Sequence, residues 1–98
     1  MRVIALRTLR ECWEIHPEAQ QPLKAWHEKA EKAIWTSRQD LEAEFGSQVK
    51  IIKGNRARFK IMGNNYRLVV KINYPYSIVY VRFVGTKADY NKLDAETI

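Results

Sequence analysis

Apolar residues recur at helical spacing through the first part of this chain. Leu6, Leu9 and Trp13 stand three or four residues apart with charged residues between them, which predicts a helix that ends just before Pro17. A second helix is expected to begin between Pro17 and Pro22, because proline is tolerated in a first helical turn. Its predicted apolar stripe consists of Leu23, Trp26, Ala30, Ala33 and Ile34.

A short third helix is predicted before Gly46, which closes it. Ser37 followed by Asp40 has the form of a capping box, in which two side chains satisfy backbone N–H groups at a helix start. Leu41 and Phe45 are its apolar positions.

After Gly46 the apolar pattern changes to a period of two, which is typical of strands. Strands are predicted over residues 56–62, 66–73 and 78–84, with a weaker edge strand over 49–52. Gly63, Asn64 and Asn65 are expected to supply the positive-φ residues of a tight hairpin. The run 78–84 is apolar throughout, as in a strand covered on both faces. Gly85 and Thr86 can begin a last short helix that extends to Leu93.

These elements predict an α+β fold. Helices from the N-terminal half pack on an antiparallel twisted sheet of three to four strands, and a short C-terminal helix follows. The chain has 98 residues and no repeat or linker, so we expect a single domain over residues 1–98.

Positive charge is confined to the strand half. Residues 1–46 carry seven Lys/Arg against eight Asp/Glu, whereas residues 47–98 carry ten against three. Alternation along the strands places several cations on the sheet face that points away from the helices. This predicted basic face contains Arg56, Arg58, Lys60, Arg67 and Lys71. These side chains are either simply solvated or arranged to bind a polyanion such as nucleic acid.

Arg82 and Lys87 come from a later stretch of the chain and are expected, with Tyr90, to form a wall beside this face. Arg67 and Arg82 could then clamp a backbone phosphate, because the guanidinium fork matches phosphate geometry. The tyrosines of the strand half either stack on exposed bases or pack in the core and at strand ends.

Other chemistries find little support in the sequence. Cys12 has no second cysteine to pair with, and its helical spacing from Leu9 indicates a buried thiol. His16 and His27 have no partners at metal-ligand spacing, so we expect neither a metal nor a cofactor. No apolar run approaches the length of a membrane-spanning helix, and we expect a cytoplasmic protein without membrane contact.

Residues 63–74 and 78–90 closely resemble the HigB toxins, which belong to the RelE-like group of bacterial toxin–antitoxin systems. Residues 9–13 and 22–26 are also similar to that family. The resemblance implies a RelE-like toxin domain and an mRNA endoribonuclease that acts on the translating ribosome. It also implies a HigA-like antitoxin that neutralises the toxin and represses their shared operon, so that operator DNA is contacted only through the antitoxin.

Carried over by position, the resemblance places the basic strand residues of the family on Arg58 and Lys60 and its phosphate-binding arginine on Arg67. The C-terminal basic residue and tyrosine fall on Lys87 and Tyr90. HigB sequences of this type often have histidine where this chain has Lys87. The predicted catalytic residues are Lys60, Arg67, Arg82, Lys87 and Tyr90, and the predicted RNA-binding residues are Arg56, Arg58, Lys71 and Asn73.

Cleavage of RNA without a metal requires a base for the 2′-hydroxyl, an acid for the leaving 5′-oxygen and cations around the phosphate. The strand half contains no histidine, so Lys, Arg and Tyr would have to perform these roles. The alternative is a non-catalytic RNA-binding or ribosome-binding module, in which the same cations supply only affinity. A DNA-contacting repressor is less favoured, since no basic recognition helix is recognisable.

Overall fold

The computed structural model describes residues 1–98. The helices are α1 (Leu6–Ile15), α2 (Gln20–Lys32), α3 (Arg38–Phe45) and α4 (Lys87–Tyr90). The strands are β1 (Arg2–Ile4), β2 (Val49–Ile52), β3 (Arg56–Ile61), β4 (Tyr66–Asn73) and β5 (Ile78–Thr86). Short 3₁₀ turns at Pro17–Ala19 and Gly46–Gln48 precede α2 and β2. The predicted helix end before Pro17 and the new helix start before Pro22 are both confirmed.

The sheet has five strands in the order β1-β5-β4-β3-β2. The predicted antiparallel sheet of three to four strands is wrong in strand number and arrangement, because β1 pairs in parallel with β5 and makes the sheet mixed. β1 has only three residues, too few to display a period of two. It forms through its partner: the backbone N–H of Arg2 donates to the carbonyl of Ser77 at 2.7 Å, and the register pairs Ile4 with Tyr80.

The core lies between the helices and one face of the sheet, with Phe59 near its centre. The Phe59 ring lies 5.3 Å from that of Trp26 and 4.8 Å from that of Phe45, both in edge-on geometry. Ala57, Phe59 and Ile61 are all buried, as the alternation in β3 predicts. The apolar side chains buried on this face hold the helices on the sheet.

The predicted apolar stripe of the second helix is wrong at its C-terminal end. Because α2 stops at Lys32, Ile34 lies beyond the helix and is 80% exposed. Trp35 takes the core position instead and is only 2% exposed. None of the four helices combines the length and apolar character that a membrane span requires.

Three predicted local features take a different form. The Ser37 hydroxyl makes no capping bond, and the Asp40 carboxylate instead accepts from the backbone N–H and the hydroxyl of Thr36, each at 2.8 Å. In the hairpin, the positive φ angles fall on Met62 and Gly63 rather than on the asparagines. The last helix ends at Tyr90 and does not reach Leu93.

Tyr66, the first residue of β4, fastens the sheet to the turn before α2. Its hydroxyl donates a short hydrogen bond to the carboxylate of Glu18, and its ring packs against His16. Acceptance of this bond lowers the pKa of Glu18, and the same bond raises the pKa of Tyr66 to about 12. The ring therefore lies on the helical side and is not available to stack on RNA.

We expect Tyr66→Phe to lower the stability of the fold in a pH-dependent way. Because the pKa of Glu18 is lowered in the fold, its contribution is present above the ordinary value of 4.5 and is lost as the pH falls through the lowered pKa. Because the pKa of Tyr66 is raised, its contribution is present below 10.0 and is lost as the pH rises through about 12.

The test is denaturant unfolding of wild type and variant from pH 3 to pH 11, with Tyr76→Phe as the control. Tyr76 is 78% exposed, so its variant should match wild type at every pH. A stability difference for Tyr66→Phe that does not change with pH would contradict the assignment.

Candidate nucleic-acid interface

The sheet face opposite the helices, here called the basic face, carries the predicted cations in three rows across the strands. The upper row pairs Lys60 with Arg67 and Arg67 with Gly85, at the end of the sheet nearest the β3–β4 turn. The middle row is Lys50, Arg58, Val69 and Phe83. The lower row is Ile52, Arg56, Lys71 and Tyr80.

α4 brings two further predicted residues to the upper end. The backbone N–H of Lys87 donates to the carbonyl of Asn65 in the β3–β4 turn at 3.1 Å. The Thr86 hydroxyl caps α4 by accepting from the N–H of Asp89, also at 3.1 Å. Arg58, Lys60, Arg67, Lys87 and Tyr90 therefore share one region, here called the cation centre.

Arg67 is the only charged residue that is buried in this protein, with 5% of its surface exposed. Its guanidinium donates to the carbonyl of Asn64 at 2.9 Å and to the Asn64 side-chain oxygen at 2.7 Å. These bonds hold the β3–β4 turn and engage both terminal nitrogens of the guanidinium within the protein. Arg67 thus acts on the cation centre mainly through its charge and by holding the turn, and its role as a direct phosphate ligand stays a prediction.

Arg58 differs from the other cations of the basic face in having a buried donor atom without a hydrogen-bond partner. That atom is Nε of its guanidinium. Burial lowers the pKa of the Arg58 guanidinium, the positive charge of Arg67 lowers it further, and Tyr90 acts in the opposite direction. Partly desolvated and without a counter-ion, this guanidinium is suited to receive an anion.

The Tyr90 ring is placed by an aromatic contact over β5. Its centroid lies 6.3 Å from that of Phe83. Phe83 in turn lies over Gly85, where an added Cβ would come within 3.0 Å of the Phe83 ring. A side chain at position 85 would force the Phe83 ring to shift by a few tenths of an ångström, so this glycine permits the close approach of Phe83 to the strand.

A β-bulge explains the position of Arg82. Val69 pairs with Phe83 but Val70 pairs with Val81, so Arg82 has no partner in the ladder. The bulge also changes the sheet face to which the following side chains of β5 point. Phe83 therefore lies on the basic face, and Val84 pairs with the core residue Leu68. The run 78–84 is consequently not covered on both faces, contrary to the prediction, and its residues are largely half-exposed.

The structure does not bring Arg82 together with Arg67 and Lys87 in one wall. Arg67 pairs with Gly85, so Arg82 lies three residues away, roughly 10 Å along the strand. Its guanidinium lies 5.6 Å from the centre of the Tyr80 ring. The residues near Arg82 are those of the lower row and not those of the cation centre. The catalytic role of Arg82 stays a prediction.

Residues 91–98 return from α4 towards the beginning of β3, a contact that the sequence pattern does not predict. Arg56 Nε donates to the main-chain oxygen of Ile98 at 2.7 Å, and Lys53 forms an ion pair with Glu96 at 3.4 Å. The predicted RNA-binding residue Arg56 is therefore partly engaged within the protein. Lys71 and Asn73 lie on the face as predicted, towards its lower end.

The largest concavity and both histidines lie away from the cation centre. The largest concavity, about 580 Å³, lies where α3 begins near the β2–β3 turn, away from the cation centre. His16 packs on Tyr66 and His27 pairs with Glu31 in α2, both on the helical side. No three His, Cys, Asp or Glu side chains come together in an arrangement that could hold a metal ion.

Fold and interface together define a small α+β domain with helices on one side of a mixed sheet and cations on the other. A family model described as HigB_toxin, the RelE-like toxic component of a toxin-antitoxin system, matches residues 19–93. The chain therefore belongs to the HigB toxin family and is the toxin of a toxin–antitoxin system, which implies an antitoxin partner. Among curated proteins, none matches this chain.

We expect Arg58→Met to leave the protein at least as stable as wild type while weakening its binding to RNA. The change removes a partly buried cation without a partner, and Met keeps the apolar length beside Val69. The free energy of unfolding should rise by about 1 kcal/mol, the order of the cost of an unsatisfied buried donor.

Denaturant unfolding and binding to a fluorescent RNA measure the two effects. Arg10→Met is the matched control, because Arg10 is exposed on the helical half and should change neither quantity. A clear loss of stability in Arg58→Met would show that Arg58 has a stabilising partner and contradict the prediction.

Proposed function

We propose that this toxin is an endoribonuclease that cleaves mRNA without a metal ion. The observation that carries the proposal is the cation centre: Lys60 directly faces Arg67 across β3 and β4, while the turn that Arg67 holds is bonded to the start of α4. Cations from three separate segments thus converge at one end of one face. Such an arrangement favours the extra negative charge that develops on a phosphate during cleavage.

In the proposed reaction, the 2′-oxygen of one nucleotide attacks the adjacent phosphorus and the bond from phosphorus to the 5′-oxygen breaks. The 2′-hydroxyl proton leaves to water as Lys60 stabilises the developing oxyanion. The Lys87 ammonium donates a proton to the departing 5′-oxygen. The products are a 2′,3′-cyclic phosphate and a free 5′-hydroxyl.

The other residues of the centre bind and orient the substrate. Arg58 contacts the phosphate through a guanidinium that has no competing acceptor at Nε. Arg67 contributes positive charge from its buried position, and Tyr90, held against Phe83, orients the nucleotide. Lys71 and Asn73 extend the contact along the RNA strand.

We further propose that the toxin acts in the cytoplasm on the translating ribosome, as the family resemblance suggests. The cation centre lies on an open sheet face, so an assembly that presents the message in a fixed path would supply the positioning that a cleft otherwise gives. The neutralising partner is proposed to be a HigA-like antitoxin, and operator DNA is contacted through that partner.

The proposal predicts that induced wild-type protein stops bacterial growth and fragments mRNA, whereas Lys60→Ala and Lys87→Ala do not. With purified protein and ribosomes carrying a message, Lys87→Ala should cut about 10² to 10⁴-fold more slowly, the usual range for one proton-transfer group. Lys60→Ala should cut about 10² to 10³-fold more slowly, the usual range for one group that stabilises an oxyanion. Cleavage should persist in EDTA, and the fragments should end in cyclic phosphate.

Lys24→Ala is the matched control, because Lys24 lies on the helical half over the Trp13 ring. It should remain as toxic as wild type. Binding of wild type to ribosomes without any cleavage would favour the non-catalytic module instead. Full activity of both lysine variants would remove the cation centre from the reaction.

A further inference from the structure

A second group of polar and aromatic side chains lies at the lower end of the basic face. It is a concavity of about 540 Å³ around the end of β4, here called the tyrosine pocket. Its polar and aromatic lining consists of Asn55, Lys71, Asn73, Tyr74, Tyr80 and Arg82. Two cations and no carboxylate line it, so it favours an anionic ligand.

The pocket continues the face on which the cation centre lies. Lys71 is four residues beyond Arg67 in the same strand and faces the same side, roughly 13 Å away along β4. A strand of RNA that crosses the upper end could therefore extend to the pocket along one continuous surface. The proposed cleavage step uses none of the side chains that line it.

Tyr80 and Arg82 give the pocket its stacking surface. They stand two residues apart in β5 and so share a face, and the Arg82 guanidinium lies 5.6 Å from the centre of the Tyr80 ring. Nucleic-acid bases stack both on aromatic rings and on guanidinium planes.

Cations and an amide complete the chemistry of a nucleotide site. Lys71 pairs with Tyr80 across β4 and β5 and lines the same concavity, which puts an ammonium near Tyr80 and Arg82. The Asn73 side-chain oxygen accepts from the backbone N–H of Tyr76 at 3.2 Å, which leaves its NH₂ group to donate to a base edge. The pocket thus has a group for each part of a nucleotide: Lys71 for the phosphate, Tyr80 and Arg82 for the face of the base, and Asn73 for its edge.

We propose that the tyrosine pocket binds a nucleotide that flanks the scissile phosphate on the same RNA strand, with its base on the Tyr80–Arg82 pair and its phosphate at Lys71. This inference rests on the proposed function and adds a subsite to it. The pocket then fixes which phosphate of the strand reaches the cation centre.

The test uses a single-stranded RNA hexamer with 2′-O-methyl groups, which block cleavage, and fluorescence anisotropy to measure its affinity. Tyr80→Ala should weaken binding about tenfold or more, as expected from the loss of one stacked base. Tyr80→Phe should bind as wild type does, because stacking needs the ring and not the hydroxyl. Tyr76→Ala is the control, since Tyr76 is exposed outside the pocket lining.

A second set of hexamers, each with one abasic nucleotide, separates stacking from general loss of affinity. At one position, removal of the base should weaken binding to wild type but not weaken binding to Tyr80→Ala any further. Equal effects of Tyr80→Ala on all hexamers would overturn the stacking assignment. Circular dichroism of each variant checks that the fold is intact, and Tyr80→Phe provides the comparison if the alanine variant is unfolded.

The outcomes also distinguish this inference from the proposed function. If wild type binds the hexamers and Tyr80→Ala binds equally well, the subsite is absent while the endoribonuclease proposal stands. A loss of antitoxin binding alone in Tyr80→Ala would assign the pocket to the partner protein and overturn the inference. If wild type binds no RNA at all, the proposed function fails together with the subsite.

Discussion

The alternation of side chains along β3 is the constraint on which the rest of the structure depends. Ala57, Phe59 and Ile61 point into the core, and the residues between them point to the opposite face. Six consecutive residues therefore anchor the helices and also supply three cations of the basic face. A shift of register by one residue would exchange the two sets, burying the charges and exposing the aromatic core.

Repulsion between cations crowded on one sheet face lowers the stability of the fold. Some of these cations have partners within the protein that offset the repulsion, and others do not. The Arg67 guanidinium is bonded to the β3–β4 turn, Arg56 is bonded to the main chain of residue 98, and the Arg82 guanidinium lies over the Tyr80 ring. Arg58 has no such relief at Nε. The uncompensated charge thus remains near the cation centre, where a phosphate would lower the energy of the whole face. Stability given up at such a position is a common feature of functional sites.

Much of this arrangement is visible in the sequence, because helical periods, strand alternation and turn residues are local signals. The two long helices, the four later strands and the facing of Arg58 and Lys60 follow from them. The missing parts depend on contacts between distant residues. β1 exists only through its pairing with β5, and the bulge at Arg82 appears only when the registers of β4 and β5 are compared.

The same distinction applies within the candidate site. Strand alternation and the family resemblance identify Lys60, Arg67 and Lys87, and the fold brings them to one end of the sheet. The sequence pattern does not reveal that Arg67 is buried against Asn64, or that residues 91–98 return to Arg56, since both depend on side-chain hydrogen bonds. A β-bulge has a weak sequence signal, so the separation of Arg82 from the cation centre required the structure.

The most direct test of the central claim is the position of bound RNA on the sheet. Amide chemical shifts of the isotope-labelled protein, followed by NMR during titration with an uncleavable single-stranded RNA, report which surface it occupies. The account predicts that the largest changes fall on β3, β4, β5 and α4, with α1 and α2 nearly unaffected. Changes concentrated on the helical side, or none at all, would contradict it.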